Sequence, residues 1–403
     1  MKKVIKRLAS LATVMVLQFS LTSLNMPLLS ATALNIATEE QLAETLENAL
    51  DGDTITFISN ITLTQELIIN KAVTIDTRDY RLTVSAAKLI CNAGTIKGSR
   101  SPVNVASGGC LELNSGAVVT AEKGDAVYSV GGIVHINGGT VNGAVSYNQG
   151  SDITIKGGSI TNGLHLNRFD SFKFTGGIIN NGIKAQNGTI TFDGGAVKGE
   201  EYGVWAEDGL ILNITSGSIN VNQGIGIELL KGAEADVKGG AVNARYGVVL
   251  HDGSKIAVVT SYSSISGVYD NSFNMLVSPQ SPIINTKIGS TQDVQISCLD
   301  GFNLNINQDT PSSLFAQKNG RNTFTVTPSM AGSFLLLLSN TSQGDFSVLL
   351  GVPVIVKRNS ADSSSSSEFD LDLSNNFYQD AWKMIQEEFR FTPRPTIPET
   401  GAG

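Results

Sequence analysis

Cysteine and histidine are scarce in this sequence of 403 residues, with three of each. The cysteines are Cys91, Cys110 and Cys298, and an odd number leaves at least one thiol free or paired with another molecule. No cysteine and histidine lie at the spacing of a zinc site, which argues against a structural metal of that kind. We therefore expect a chain that relies neither on disulfide bonds nor on a cofactor, with bound calcium as the one exception left open.

Proline, aromatic and charged residues are also few. The chain has 10 prolines, 6% aromatic and 16% charged residues, whereas glycine occurs 42 times. Glycine at this level without proline enrichment indicates many turns that need a positive φ, and it excludes collagen and a disordered linker. Length alone predicts two or three domains.

The N-terminal segment 1–33 has the three parts of a secretory signal peptide. Four basic residues stand within the first seven, an uncharged and largely apolar run covers 8–24, and Ala31-Thr32-Ala33 supplies small residues for a signal peptidase. The alternative is a membrane anchor, but serine, threonine and glutamine dilute the apolar run. The sequence therefore predicts an exported protein.

Removal of that segment would leave 24 basic and 36 acidic residues, a net charge of −12. An acidic surface argues against nucleic acid or anionic lipid as the main partner. It is compatible with calcium, with neutral glycans, or simply with solubility outside a cell.

A repeat is present between residues 93 and 240. Pairs of small residues recur at a nearly constant spacing, at Ala93-Gly94, Ser115-Gly116, Gly138-Gly139, Gly157-Gly158, Gly176-Gly177, Gly194-Gly195, Ser216-Gly217 and Gly239-Gly240. A coil of about 20 residues with short strands and sharp corners is the size of one β-helix turn. The strand–helix unit of leucine-rich repeats is the alternative, but the chain has no leucine-rich consensus or helical segment here.

Apolar residues alternate around each small pair and predict three inward-facing strands per coil. In one strand, two inward-facing residues precede each small pair, as Val134 and Ile136 do. In the next strand, one inward-facing residue follows the pair, as Val141 does. A further strand gives the sets Val127 and Ser129, Val145 and Tyr147, Leu164 and Leu166, Ile183 and Ala185, Val204 and Ala206, Ile227 and Leu229, and Val248 and Leu250. Roughly nine coils, from about Arg81 to Ile265, would stack into a rod. The predicted fold class is all-β, a right-handed parallel β-helix.

Residues 37–58 read as a cover for the first coil. Thr38 and Gln41 fit a helix N-cap with its capping-box partner, and Leu42, Leu46 and Leu50 fall on one helical face. Strands at 54–58 and 72–76 follow. The order of helix, Gly-Asp-Thr-Ile strand and Val-Thr-Ile strand resembles the start of pectate-lyase-like right-handed β-helix proteins. With the repeats, the resemblance covers about residues 35–265 and implies the fold rather than an activity.

The C-terminal third loses the repeat, so we assign the β-helix with its helical cap to residues 34–270. Residues 271–358 read as short alternating strands divided by polar turns, which resembles a bacterial immunoglobulin-like β-sandwich. Residues 359–403 begin with a serine-rich linker and continue as a helical and proline-rich tail. A short amphipathic segment there, with Trp382 at its centre, predicts either a helix that docks back or a peptide that binds a partner.

The last residues resemble the sortase sorting pattern of Gram-positive cell-wall proteins. The motif is Ile397, Pro398, Glu399, Thr400 and Gly401, which implies attachment to peptidoglycan after cleavage between Thr400 and Gly401. A sorting signal also needs a hydrophobic tail and terminal basic residues, which are missing from this sequence. Either the sequence is truncated after Gly403, or the match is accidental in a proline- and threonine-rich tail.

No catalytic pattern stands out. Relatives that cleave polyuronates bind calcium with clustered aspartates, and pectin hydrolases use paired aspartates and a Gly-His-Gly stretch, but this chain has neither. Acid–base cleavage of a glycosidic bond needs two carboxylates about 5–10 Å apart. The repeat instead predicts outward columns of mixed residues that suit a solvated sheet.

One outward column differs from the rest. It runs through Tyr128, Ser146, His165, Lys184, Trp205, Glu228 and Val249, and stacking places His165, Lys184, Trp205 and Glu228 on consecutive coils. An exposed tryptophan can stack on a sugar ring while charged neighbours hydrogen-bond its hydroxyls. The alternative is a ladder that only stabilises the sheet. Glu207 and Asp208, at an Asp-Gly turn beside this column, are weak calcium candidates, because the turn itself explains the aspartate.

The sequence thus favours a secreted or cell-surface protein without enzymatic activity, a monomer that binds a glycan or another cell-surface ligand. A polysaccharide lyase or glycoside hydrolase that uses the Trp205 face is the second hypothesis. A structural stalk in the cell envelope is the third.

Overall fold

The computed structural model describes residues 33–260, 263–280, 283–300, 302–340 and 346–358. The predicted signal segment up to residue 32, the serine-rich tail from residue 359 and the sorting motif lie outside these residues. Within them the chain is nearly all β and forms a parallel solenoid of about 11 turns followed by a small antiparallel sheet. The all-β fold class read from the repeats is confirmed.

Three parallel sheets form the solenoid, and each coil passes through them in a fixed order. Five long strands bend from one sheet into the next: Val118–Val130, Thr140–Ile155, Leu164–Phe174, Gly188–Gly199 and Leu210–Val221. The other strands of sheet 1 are Ala33–Ile36, Thr54–Phe57, Thr74–Asp76, Thr95–Gly98, Ser159–Ile160, Ile178–Asn180, Gly240–Asn243 and Ser263–Ile265. Those of sheet 2 are Ile61–Leu63, Leu82–Val84, Val103–Val105, Ile183–Gln186, Tyr202–Ala206, Ile225–Leu229, Tyr246–Leu250 and Val268–Asp270. Those of sheet 3 are Leu67–Ile69, Lys88–Cys91, Cys110–Leu113, Ile133–Ile136, Glu234–Val237 and Ser254–Val259.

The alternating apolar residues fill the solenoid as the repeat predicts. Each residue of the three inward columns is buried, from Val127 on sheet 2 to Val242 on sheet 1. Because a strand turns alternate side chains to opposite faces, the same register sends the residues between them outward.

The predicted corners are also confirmed. The second residue of every small pair is a glycine with positive φ: Gly94, Gly116, Gly139, Gly158, Gly177, Gly195, Gly217 and Gly240. At each of these points sheet 3 gives way to sheet 1. The corner also carries an asparagine ladder, in which the side-chain amides of Asn92, Asn114 and Asn137 each donate to the asparagine one coil earlier, the first of them to Asn70, at 2.6–2.9 Å.

The predicted helical cover is present as one helix, Glu39–Asn48. Thr38 caps it by accepting a hydrogen bond from the Gln41 backbone N–H, and Leu42 and Leu46 are buried. The expectation that Leu50 shares their face is wrong. The helix ends before this residue, so its side chain points to solvent and is 52% exposed.

A lysine from the following coil closes the end of this helix. The last turn contains no basic residue of its own, but the Lys71 ammonium donates to the carbonyl oxygens of Leu46 at 2.9 Å and Glu47 at 2.7 Å. Carbonyl groups at a helix C-terminus have no partner within the helix and carry partial negative charge. Lys71 therefore fastens the helix to the solenoid.

We expect Lys71→Met to lower the free energy of unfolding by about 1–2 kcal/mol, because two carbonyl groups lose a charged donor. Denaturant unfolding would measure the loss, and hydrogen exchange should show faster exchange over residues 39–48. Lys231→Met is the control, because Lys231 is exposed and makes no ion pair in the described part of the chain. Equal helix exchange in the two variants would contradict this role for Lys71.

The C-terminal third adds one more strand to the solenoid. Phe346–Lys357 runs parallel to Ser254–Val259 and so extends sheet 3 across the predicted boundary at residue 270. The same strand pairs antiparallel with Gly332–Ser339 and parallel with Ile284–Lys287. The small antiparallel sheet contains Gln292–Gln295, Thr323–Val326 and Ala316–Gly320. The remaining short elements are Met275–Val277, Asn305–Ile306 and the 3-10 helix Ser312–Leu314.

Candidate functional site

The outward column that contains Trp205 has the predicted register. Ser146 pairs with His165, His165 with Lys184, Lys184 with Trp205 and Trp205 with Glu228, one coil at a time. The inward neighbours of these residues, among them Leu164 and Leu166, are buried, which turns the column to the outside of sheet 2. The structure therefore brings the four candidate residues together in a row along the solenoid axis.

Trp205 lies half-buried in a group of polar and aromatic side chains. Its indole N–H donates to Glu207 Oε1 at 3.2 Å, and the ammonium of Lys184 lies 5.5 Å from its ring centroid. The Tyr202 ring packs edge-on against it, with centroids 5.5 Å apart. The same Glu207 oxygen also lies 3.0 Å from Lys184 Nζ. These contacts fix the orientation of the indole.

Glu228 is not available on this surface, and its expected exposure is wrong. Glu228 is only 8% exposed, and its Oε1 lies 2.8 Å from His251 Nε2 on the next coil. A buried carboxylate needs such a partner, so its first role is within the sheet. His165 and Lys184 are exposed as expected.

A second column of polar side chains, which the sequence did not lead us to predict, runs beside the first. The side-chain amide of Asn148 donates to the Tyr128 hydroxyl, that of Asn167 to Asn148 at 3.1 Å and that of Gln186 to Asn167 at 2.8 Å. Glu207 follows on the next coil. The signal was present, since each of these residues stands two positions after a member of the first column.

The two columns border a shallow depression of about 130 Å³. We call it the sheet-2 depression; it is lined by Ser146, Tyr147, Asn148, His165, Leu166, Asn167, Lys184, Ala185, Gln186 and Glu207. Its polar side chains repeat once per coil, and its last member contacts Trp205. The surface therefore offers hydrogen-bonding groups at a spacing of about 4.8 Å with an aromatic ring at one end.

One chain of hydrogen bonds at the other end includes a serine and a histidine. Ser146 Oγ donates to Asp125 Oδ1 at 2.6 Å, and His165 Nδ1 lies 3.4 Å from the same hydroxyl. In a serine hydrolase the histidine stands between the serine and the carboxylate and takes the serine proton. Here the serine stands in the middle, so the arrangement differs from that triad.

The described carboxylates near the depression are each bonded to protein groups. Asp125 is bonded to Ser146 and Glu207 to Lys184 and Trp205. Among the described residues, no group of three or more histidine, cysteine, aspartate or glutamate side chains could hold a metal ion. Calcium at Glu207 and the exposed Asp208 stays a prediction, with Glu207 already engaged.

All three cysteines are free thiols. Cys91 is fully buried, and burial raises its pKa to about 12. Burial also raises the pKa of Cys298 to about 11, against the smaller opposite effect of Arg321 and Lys318. A raised pKa keeps the thiol protonated, and the thiol is a weaker nucleophile than the thiolate.

In the described part of the chain, no helix is both long and apolar enough to cross a membrane. Comparisons with protein-family models, with curated proteins and with solved structures find no match to this chain.

Proposed function

We propose that this protein is an exported surface protein without enzymatic activity, whose solenoid displays a glycan-binding face on sheet 2. The observation that carries the proposal is the sheet-2 depression, where amide and charged side chains recur on each coil beside Trp205. Amide groups hydrogen-bond sugar hydroxyls, and an indole stacks on the apolar face of a sugar ring. A glycan would lie along the solenoid axis, with Lys184 and Glu207 at the tryptophan end.

The finer assignments from the sequence belong to this proposal. The three-sheet solenoid with its helical cover supports kinship with pectate-lyase-like β-helix proteins. The antiparallel strands after residue 275 support an immunoglobulin-like character for residues 271–358. Export through the segment 1–33 and wall attachment through Ile397–Gly401 rest on their sequence patterns alone.

A glycan array with the full chain tests the proposal. We expect binding to at least one polysaccharide and a roughly tenfold weaker affinity for Trp205→Ala, because loss of one stacked ring costs about 1.4 kcal/mol. Phe315→Ala is the matched control, since this ring is 63% exposed on the C-terminal part of the chain. No binding to any glycan, or equal losses in both variants, would refute the proposal.

The second hypothesis, a polysaccharide lyase or hydrolase, is tested in the same preparation. Ultraviolet absorbance would follow unsaturated products from polyuronates. Product formation that disappears in Lys184→Ala would replace the binding function by a lyase with Lys184 as its base.

A further inference from the structure

A second concave site lies far along the chain from the sheet-2 depression. It has a volume of about 290 Å³ and is lined by Asn60, Asp79, Arg81, Ser99 and Arg100. All five residues stand between a sheet 1 strand and the following sheet 2 strand, on three consecutive coils. We call it the arginine corner.

The floor of the arginine corner is held by backbone hydrogen bonds between the coils. The Ser99 N–H donates to the Arg78 carbonyl at 2.7 Å, and the Ile61 N–H to the Arg81 carbonyl at 3.0 Å. Arg78 and Ser101 both have a positive φ, which is uncommon for residues other than glycine. The positions of the lining residues are therefore set by the solenoid before any ligand arrives.

Two exposed arginines, Arg81 and Arg100, line this site. Among the described residues, no aspartate or glutamate, Asp79 of the lining included, lies within ion-pair distance of Arg81 or Arg100. The lining therefore carries two positive charges and one negative charge on a chain whose net charge is −8.

Neutral groups complete the lining. Asn60 Oδ1 accepts a hydrogen bond from the Arg81 backbone N–H at 2.9 Å, which leaves the Asn60 Nδ2 group to donate. Ser99 contributes a hydroxyl. Asp79 is the one acidic residue of the lining, and a carboxylate accepts hydrogen bonds from hydroxyl groups.

We propose that the arginine corner binds an oxyanion, a carboxylate, phosphate or sulfate, carried by a hydroxylated molecule. Arg81 and Arg100 supply the planar, permanently charged donors that pair with such groups. Asn60 and Ser99 add hydrogen bonds, and Asp79 accepts from a neighbouring hydroxyl. The site is independent of the glycan face on sheet 2.

Calorimetric titration of the full chain at low salt tests this site with inorganic phosphate, sulfate and D-glucuronate. We expect millimolar binding of at least one probe, weakened by added NaCl and at least about tenfold weaker in the double variant Arg81→Gln/Arg100→Gln. Arg168→Gln, which removes an exposed arginine from a distant coil, should bind as the original chain does. Any binding of D-glucose, which lacks the oxyanion, should be unchanged in the double variant.

Further measurements distinguish the classes of ligand and check that the variants are folded. Tighter binding of phosphate or sulfate than of D-glucuronate indicates a tetrahedral oxyanion, and the reverse indicates a sugar carboxylate. Arg100→Lys keeps the charge but not the forked geometry and should retain part of the affinity. Circular dichroism must show an unchanged fold, and Phe315→Ala, which removes an exposed ring outside both sites, must leave the binding unchanged. Absence of binding by all three probes, or equal binding by the double variant, would overturn the proposal.

Discussion

Replacement of Gly158 by alanine is expected to lower the free energy of unfolding by about 2–5 kcal/mol. Gly158 has a φ of +80°, and an added Cβ would lie 2.4 Å from the Gly139 carbonyl oxygen and 2.5 Å from that of Gly138. The left-handed backbone costs a residue with a side chain about 1–2 kcal/mol. The clash adds about 1–3 kcal/mol, because the contacting atoms belong to the backbone of the neighbouring coil and cannot shift without moving that coil.

Gly124→Ala separates these two contributions. Gly124 has a φ of +72°, but nothing lies within 4 Å of the position of its Cβ. We expect this variant to lose only the backbone part, about 1–2 kcal/mol. Denaturant unfolding followed by circular dichroism would measure both variants. Equal losses would mean that the close approach of coils at the corner contributes nothing.

The second large effect is expected at Phe174, at the centre of the solenoid core. Its ring lies 6.1 Å from that of Phe172 and 5.0 Å from that of Phe192, and all three side chains are fully buried. Phe174→Ala should cost about 3–5 kcal/mol, because the stacked coils above and below cannot collapse into the space. Phe315→Ala removes an exposed ring and should change the stability by less than about 0.5 kcal/mol.

The corner and the core are coupled at this coil. A Cβ on Gly195 would lie 2.5 Å from the Phe174 ring. In a double-mutant cycle, the variant with both Gly195→Ala and Phe174→Ala should therefore lose less free energy of unfolding than the sum of the two single losses. The reason is that the smaller side chain at 174 removes the clash. Fully additive losses would show that a Cβ at position 195 does not clash with the Phe174 ring.

Much of the solenoid follows from alternation in the sequence. Val134 and Ile136 point inward because a strand places alternate residues on one face. Together with the repeat length, this alternation places Trp205 next to Lys184 on the outside of neighbouring coils. The corner glycines are recognisable for a similar reason, since a positive φ admits few other residues. Register and corners are local properties of the chain.

Exposure of individual side chains was harder to predict. Glu228 occupies the expected register position, but His251 from the next coil covers it. Leu50 continues the four-residue spacing of Leu42 and Leu46, yet the helix has ended before it. In both cases the exposure of the side chain depends on where a neighbouring segment lies, and residue spacing in the sequence does not show this.

The second column on sheet 2 was missed although its offset of two positions from the first column is visible in the sequence, and the arginine corner has no such signal. Asn148, Asn167 and Gln186 look like ordinary polar residues until the coils align their side chains. Asn60, Arg81 and Arg100 belong to different coils, and only the stacking of those coils makes them one cavity. The last strand, Phe346–Lys357, joins sheet 3 from a distant part of the chain for the same reason.

The sequence by itself determined the coil, its three inward strands and its glycine corners, because each depends on backbone geometry within a single coil. The tertiary structure decided which outward side chains are accessible and which of them meet. It also decided how the C-terminal strand extends the solenoid. Those outcomes depend on contacts between coils, and a coil's neighbours are set by the packing of the whole rod.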